Sequence, residues 1–381
     1  MIRERKVDNR NCIPCLVLFI SMLAMGSQAT QAALLDGMMD TVEEALAESL
    51  AEKNERLTTG NFYTDSSPNA HGPIGMMGEH THEAGEVMFS YRLMHMWMHG
   101  TRHGTTRITN DEALELGPYR VVPESMRMMM HMAGFMYGWN DTVTLSVMVP
   151  YILKSMNHRN KPHTAKFTTR SEGVGDIRFG SLWRLWAVEA PSLGAHRFHL
   201  NLSVSVPTGN IQPTDSTPLR PDGQRLPYPM HLGSGTFDFY PGITYGGETS
   251  QVSWGFQVIG TLRAGKNANG FSKGDAYQLN IHGAYAIVPH WLSGSVRLSW
   301  HDWKKYDGAD PNIGMRVVQT GVPARLGGQR LDVLGGINVL LPEIMGIENR
   351  LAVEGGVPVY QYLDGQLETD SVVTFGWQGL Y

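Results

Sequence analysis

From residue 86 to the C-terminus, apolar and polar side chains alternate with a period of two through long segments. Between Val143 and Tyr151 every second residue is apolar, and Thr144 and Ser146 stand between them. This is the period of a β-strand with one apolar and one polar face, found in soluble sandwiches and in transmembrane barrels. Sandwich strands average about 5–6 residues. These segments run to about 11–15 residues, long enough for a tilted strand to cross a bilayer.

The alternation predicts about twelve strands, near residues 86–99, 126–138, 142–156, 174–188, 196–207, 236–246, 250–264, 274–288, 291–304, 329–341, 347–361 and 369–381. Connections after the even-numbered strands are short, whereas those after odd-numbered strands are mostly long, among them 100–125, 208–235 and 305–328. Short periplasmic turns and long outer loops are typical of bacterial outer-membrane barrels, and an even strand number lets the barrel close without an edge. We therefore predict an all-β protein in which residues 86–381 form a transmembrane antiparallel β-barrel in the outer membrane.

The N-terminus has the order of a secretory signal peptide. Four basic residues precede the apolar run 13–25, and small residues of the kind that signal peptidase accepts follow it. We predict that residues 1–32 are the signal peptide. Both cysteines, Cys12 and Cys15, lie within it, so the mature chain is expected to contain no disulfide.

Residues 33–57 have a helical period. Leu35, Met39 and Val42 recur at three- and four-residue spacing, and acidic residues fill the opposite face. We predict a short amphipathic helix in the periplasm that packs on the barrel, plugs it or contacts a periplasmic partner. Residues 58–85, rich in Gly, Pro and His, are predicted to form a loop.

Composition and motifs limit the function classes. Acidic residues outnumber basic ones 36 to 31, and Lys and Arg form no run, so no nucleic-acid partner is expected. No apolar run after residue 25 approaches the ~18 residues of a spanning helix, so strands are expected to contact the outer-membrane lipid. Ser299 and His301 share a face, but the sequence shows neither a third partner nor a nucleophile motif, so no enzymatic activity is expected.

Several short motifs resemble a known family of outer-membrane proteins. They are Val149-Pro150-Tyr151, Gly173-Val174-Gly175-Asp176, Val206-Pro207-Thr208-Gly209-Asn210 and Gly233-Ser234-Gly235. In these residues the chain resembles the outer-membrane transporter-like barrels of the meta-pathway phenol-degradation family, over residues 86–381. The resemblance implies a barrel and an outer-membrane location, and it implies little about the substrate. The Met- and His-rich stretch 75–98 goes beyond the pattern of that family.

Methionine is concentrated in one part of the chain, since fourteen of the nineteen methionines after residue 32 fall between Met76 and Met156. In the first two predicted strands nine of them occupy the polar row, which faces the lumen. Thioether sulfur is a soft donor that suits Cu(I), and imidazole suits Cu(II). We therefore predict a metal site with copper as its candidate ion, formed by Met94, Met96, Met98, Met126, Met128, Met130, Met132, His80 and His82.

Other interpretations of the methionine row stay open. Because methionine is a pliable apolar filler, the row can line a passage for a hydrophobic solute or simply pack a narrow lumen. A purely structural or adhesin-like barrel is a third class. The leading prediction is a channel or binding protein for a soft metal ion, and the alternative is an outer-membrane channel for small hydrophobic or aromatic compounds.

Overall fold

The computed structural model describes residues 68–161, 165–190, 194–218 and 220–381. The predicted signal peptide (1–32) and periplasmic helix (33–57) lie outside the described residues, as does the first part of the predicted loop 58–85. Within the described ranges, no helix has the length and apolar character needed to span a membrane.

Antiparallel strands form the bulk of the fold. In chain order they are β1 (Val87–Gly104), β2 (Thr106–Ile108), β3 (Val121–Asn140), β4 (Val143–Asn160), β5 (Lys166–Val174), β6 (Ile177–Ala190), β7 (Gly194–Val206), β8 (Thr214–Thr217), β9 (Arg220–Arg225), β10 (Phe237–Glu248), β11 (Val252–Ala264), β12 (Phe271–Ser272), β13 (Ala276–Val288), β14 (Leu292–Trp303), β15 (Asp307–Gly308), β16 (Gly328–Ile344) and β17 (Ile347–Leu380). The described helices are α1 (Asn110–Glu115) and three single 3₁₀ turns, Tyr228–Met230, Gln319–Gly321 and Pro323–Arg325.

Eleven of these strands form a closed ring in the order β17, β16, β14, β13, β11, β10, β7, β6, β4, β3, β1, and β17 pairs with β1 to close it. β2 and β5 pair with β1 and β4 outside this ring, while β8–β9 and β12–β15 form separate two-stranded sheets. A closed ring leaves no free sheet edge, which satisfies every spanning backbone group. The predicted antiparallel barrel is confirmed.

β17 runs out and back, and so contributes two strands to the ring. Its return half and the bend itself pair with β1, from Leu380 opposite Met88 to Leu363 opposite Gly104, and its outgoing half lies beside β16. Arg350 Nη1 of the outgoing half donates to Gln378 Oε1 of the return half at 2.5 Å, and Gly365 has a φ of +72° at the bend. Because neighbours alternate in direction, an all-antiparallel ring needs an even number of strands. Counting both halves of β17 gives twelve, as the alternation predicts.

The ring strands match the predicted strands within a few residues, and the predicted strand 174–188 corresponds to β6. The strand that was not predicted is β5, which lies in the predicted connection before residue 174. There, β5 and β6 share the partner β4, and the chain turns between them at Gly175 and Asp176. The turn has a physical cause, because the Asp176 carboxylate accepts hydrogen bonds from the backbone of Gly209 (2.9 Å) and of Ser234 (2.7 Å). This carboxylate therefore ties the strand break to the long connection after β7.

The outer face of the barrel carries an apolar band. In β14, Val296 and Leu298 are exposed, whereas Arg297 between them is buried in the lumen. Trp291 and Trp300 flank this stretch, and a nine-residue span covers roughly 30 Å of strand, or about 23 Å across the membrane at a tilt near 40°. That height and the flanking aromatic residues fit the hydrocarbon layer. The protein is an outer-membrane β-barrel.

The lipid-facing assignment predicts how stability responds to charge at different depths. Arg in place of Val296, near the middle of the band, should cost about 2–4 kcal/mol of unfolding free energy, whereas Arg in place of Ile287, near the short turn, should cost about 0–1 kcal/mol. Both side chains are more than half exposed, so packing loss is similar in the two variants. Equilibrium unfolding in lipid vesicles measures the difference, and equal costs would contradict the assigned depth.

Candidate functional site

Residues 68–86, called the plug below, enter the lumen at the end of the barrel that carries the short turns, and residues 83–85 are exposed where the segment joins β1. Side chains of the barrel wall hold its backbone. Arg350 Nη2 donates to Gly72 O at 2.6 Å, Asn201 Nδ2 donates to Gly78 O at 2.6 Å, and Arg92 Nε donates to Ile74 O at 3.0 Å. An irregular segment can be buried only when such partners satisfy its backbone. The described part of the predicted loop 58–85 is therefore an internal plug.

Small residues of the wall let the plug approach closely. A Cβ atom at Gly376 would clash with Ile74, and one at Gly138 would clash with the carbonyl of Glu83. Ile74 and Met76 are almost completely buried. The plug is thus packed as well as hydrogen-bonded, and it fills the lumen on the side of the short turns.

The long connection between β7 and β10 enters the lumen from the opposite end. Lys154 Nζ donates to Pro229 O at 2.8 Å and to His231 O at 2.6 Å, and Ser171 Oγ donates to Met230 O at 2.7 Å. The connection 208–235, which the strand parity predicts to be a long outer loop exposed at the cell surface, is therefore not exposed over the stretch 226–232. We call that stretch the inner loop; its side chains Leu226, Tyr228, Met230 and Leu232 are buried.

Burial shifts the titration of groups around the inner loop. Burial, together with the nearby Lys273 and Lys154, lowers the pKa of His231 to about 3. Burial also raises the pKa of Tyr306 to about 12. His231 is therefore neutral near pH 7 and packs against Tyr228 and Phe271, with ring centroids 5.4 and 5.7 Å apart.

The methionines predicted to bind metal form one continuous surface on β1 and β3. The register places Met94 opposite Met130, Met96 opposite Met128 and Met98 opposite Met126, while Met132 lies opposite Arg92. Cross-strand neighbours of this kind have Cβ atoms about 4.5–5.5 Å apart. We call these seven methionines (Met94, Met96, Met98, Met126, Met128, Met130 and Met132) the methionine wall.

The two ends of the methionine wall have different surroundings. Met126, at its outer end, is buried in an apolar cluster with Met156, Leu226 and Met230, and Met98 packs against this cluster. At that end methionine serves as core filler beneath the inner loop. The middle four, Met94, Met96, Met128 and Met130, are only half-buried. They lie between the level of Arg92, which holds the plug, and the level of Met98, which packs beneath the inner loop.

The two predicted histidine ligands lie away from the outer end of the methionine wall. The backbone N–H of His82 donates to Thr144 Oγ1 at 2.8 Å, while Met126 pairs with Met156, twelve residues further along β4. Twelve residues of strand span roughly 40 Å, so His82 and Met126 cannot bind the same ion. His80 lies 3.4 Å from Glu79 in the plug, measured from Nδ1 to Oε1.

A polar surface faces the lumen from the opposite side of the ring, and sequence reasoning missed it. Gln257 Nε2 donates to Met77 O at 3.0 Å. Arg297 forms a bidentate ion pair with Glu354 at 2.8 and 2.7 Å and donates to Asn280 Oδ1 at 2.9 Å. The available signal was the residue type, because Gln, Asn, Arg and Glu in a lumen row need internal partners.

The lumen is nearly closed beside the plug. A cavity of about 70 Å³ is lined there by Met77, Arg92, Met136, Met148 and Tyr240, among others. An apolar protein cavity that binds benzene has a volume of about 150 Å³. This cavity is therefore too small for a monoaromatic molecule in the present arrangement of the plug.

No family model matches the sequence, and no curated protein matches it. Among solved structures, the COG4313 outer membrane channel from Pseudomonas putida F1 is similar with a TM-score of 0.56 and 8% identity, covering 80% of this chain and 99% of that chain. A FadL homologue from Pseudomonas aeruginosa has a TM-score of 0.36 and 9% identity, covering 78% of this chain and 89% of that chain. The transport unit of the autotransporter AIDA-I from Escherichia coli has a TM-score of 0.40 and 8% identity, covering 80% and 93%.

At these identities the similarity concerns the fold alone. It agrees with the barrel that the resemblance to the phenol-degradation family implies. Membership in that family, with this chain as a Met- and His-rich variant, stays a prediction, as does the expected lack of enzymatic activity.

Proposed function

We propose that this barrel is a gated outer-membrane channel for small hydrophobic or aromatic compounds. The observation that carries the proposal is the half-buried middle of the methionine wall, which offers a pliable apolar surface between the plug and the inner loop. Thioethers make favourable contacts with aromatic rings, and binding sites for such molecules are mostly apolar with a few placed polar groups. The polar surface across the lumen supplies those groups.

The fold supports the channel part of this proposal. The solved structure with a TM-score of 0.56 is described as an outer membrane channel. Twelve strands enclose more space than eight, whose interior is just filled by side chains, and less than the open lumen of porins with 16–18 strands. A lumen of this width can close around a plug and can admit a small molecule when the plug moves.

Soft-metal handling by the methionine wall stays a prediction, and one variant separates the two functions. Replacing Met94, Met96, Met128 and Met130 together by Leu keeps the surface apolar, and such swaps usually cost under about 1.5 kcal/mol each. The hydrophobic channel should then still pass phenol into proteoliposomes. A Cu(I) site should lose its affinity for Ag(I), because leucine has no soft donor.

The control replaces the same four methionines by Gln, which has a similar length and a polar end. The proposed channel should pass phenol more slowly in this variant, while passage of a polar solute such as arabinose should not fall. Equal phenol passage in the Leu and Gln variants would contradict the proposed role of the methionine wall. Loss of phenol passage in the Leu variant, together with loss of Ag(I) binding, would favour the metal interpretation.

A further inference from the structure

Three side chains of the plug converge on one point in the lumen. One ring nitrogen each of His71 and His80 and one carboxylate oxygen of Glu79 all lie within 4.8 Å of one another. The rings of His71 and His80 meet edge to face, with centroids 5.2 Å apart. All three residues belong to the short segment 71–80, so a single turn of the plug assembles them.

Two polar atoms of Glu79 and His80 lack a partner. These residues have side-chain exposures of 5% and 13%, and His80 Nδ1 lies 3.4 Å from Glu79 Oε1. Among the described residues, Nε2 of His80 and Oε2 of Glu79 are buried with no hydrogen-bond partner. Unpaired buried groups of this kind call for an explanation, and an unplaced ion is one of the common ones.

Space for a ligand lies beside these atoms. A cavity of about 50 Å³ is lined by Glu79, His80, His199 and His282, among others. A Cβ atom at Gly72 would clash with Glu79 Oε2 and would lie 3.6 Å from His282 Nε2. A wall imidazole and the unpaired carboxylate oxygen therefore face the same small space, which glycine at position 72 keeps open.

One oxygen of the Glu79 carboxylate is engaged by the barrel wall. Arg350 Nη1 lies 3.4 Å from Oε1 of Glu79, so the guanidinium contacts one carboxylate oxygen and leaves Oε2 available. A carboxylate beside two imidazoles is a common donor set for transition metals.

We propose that His71, Glu79 and His80 form a binding site for one borderline divalent metal ion such as Zn²⁺, with a water or His282 as the fourth ligand. Tetrahedral Zn²⁺ holds nitrogen and oxygen donors at about 2.0–2.2 Å, which places the donors roughly 3.4 Å apart. Side-chain rotations that bring the donors closer by about 1–1.5 Å complete the site. Two imidazoles disfavour Mg²⁺ and Ca²⁺, which prefer oxygen ligands.

This site is distinct from the proposed substrate path and does not depend on it. Its donors are nitrogen and oxygen atoms of the plug, whereas the methionine wall offers sulfur. Because the ion would join residues 71 and 79–80 within the plug, we expect it to stiffen that turn.

Metal titration of the full-length barrel, purified without a polyhistidine tag, tests the site. We expect one equivalent of Zn²⁺ to bind by calorimetry and Co²⁺ to give the visible absorption bands of a tetrahedral site. His80→Ala and Glu79→Gln should each weaken Zn²⁺ binding at least about tenfold, since even outer-shell changes cost about 10–100-fold. His95→Ala is the matched control, because His95 stacks on Trp97 on the outer face and its loss should leave Zn²⁺ affinity unchanged.

Folding of each variant is verified by trypsin resistance of the barrel, and His71→Gln provides a further variant if His80→Ala fails to fold. The proposal is overturned if the wild-type barrel binds no Zn²⁺, which would leave a hydrogen-bonded His–Glu cluster. It is also overturned if Zn²⁺ affinity in His80→Ala and Glu79→Gln equals that of the wild type. Phenol passage is measured separately in the same preparations, so failure of the metal site and failure of the channel are distinguishable.

Discussion

Deleting residues 69–83 should convert the barrel from a nearly closed to an open channel, with single-channel conductance at least about tenfold higher in planar bilayers. The deletion removes the segment that Arg350, Asn201 and Arg92 hold by its backbone. The ring strands and their pairing are untouched, because β1 begins at Val87. On the side opposite the methionine wall, the remaining lumen is lined by polar side chains that water can solvate.

Smaller changes to the plug anchors provide the graded control for this prediction. Asn201→Ala and Gln257→Ala remove hydrogen bonds to Gly78 O and Met77 O, each worth about 0.5–1.5 kcal/mol. These variants should raise the open probability without changing the conductance of the open state. An unchanged conductance after deletion of residues 69–83 would show that the inner loop alone closes the barrel.

The barrel itself was predictable because the pattern that specifies it lies within each single strand. A strand between lipid and a polar lumen must alternate, and this requirement sets both the period and the length of segments such as Val143 to Tyr151. Turn lengths then give the topology. The alternation also indicates the lumen face correctly, as in Arg297, which is buried between the exposed Val296 and Leu298.

The plug and the inner loop were not predictable in this way, because neither has a period. Their positions depend on contacts far apart in sequence, such as Gly75 N donating to Glu354 Oε2 at 3.0 Å. In the alternation, Met98 and Met126 look the same as Met94 and Met130, yet the first pair packs as core beneath the inner loop and the second pair is only partly buried. The alternation thus indicates the face on which these methionines lie and not their surroundings, and the metal site predicted there stays a prediction.

Glu79 and His71 were missed for a related reason. In the sequence, His80 and His82 lie with the methionines in one Met- and His-rich stretch, and this proximity alone predicted that they share an ion. The fold separates them, since the plug returns along the lumen and places His80 against His71 and Glu79. Ligand sets assembled by an irregular segment depend on its tertiary path, which the spacing of residues does not reveal.

The ion pair of Arg297 with Glu354 should be the most sensitive stability element of the lumen. Both side chains are buried, with exposures of 6% and 1%, and the Nη2–Oε2 distance is 2.7 Å. Removing one partner leaves an uncompensated charge, which typically costs about 3–5 kcal/mol. We therefore expect Arg297→Met to lower the unfolding free energy of the barrel by about that amount.

A double-mutant cycle separates the lost pair from the stranded charge. In Glu354→Gln the amide oxygen can still accept from Gly75 N, while Arg297 loses its carboxylate partner. The combined Arg297→Met and Glu354→Gln variant should recover most of the loss, because replacing both members of a buried pair is often nearly neutral. Urea unfolding in lipid vesicles measures the unfolding free energy of the wild type, of the two single variants and of the double variant. If the loss of unfolding free energy in the double variant equals the sum of the two single losses, the two side chains contribute independently, through the plug and through Asn280. Their pairing would then add nothing to the stability of the barrel.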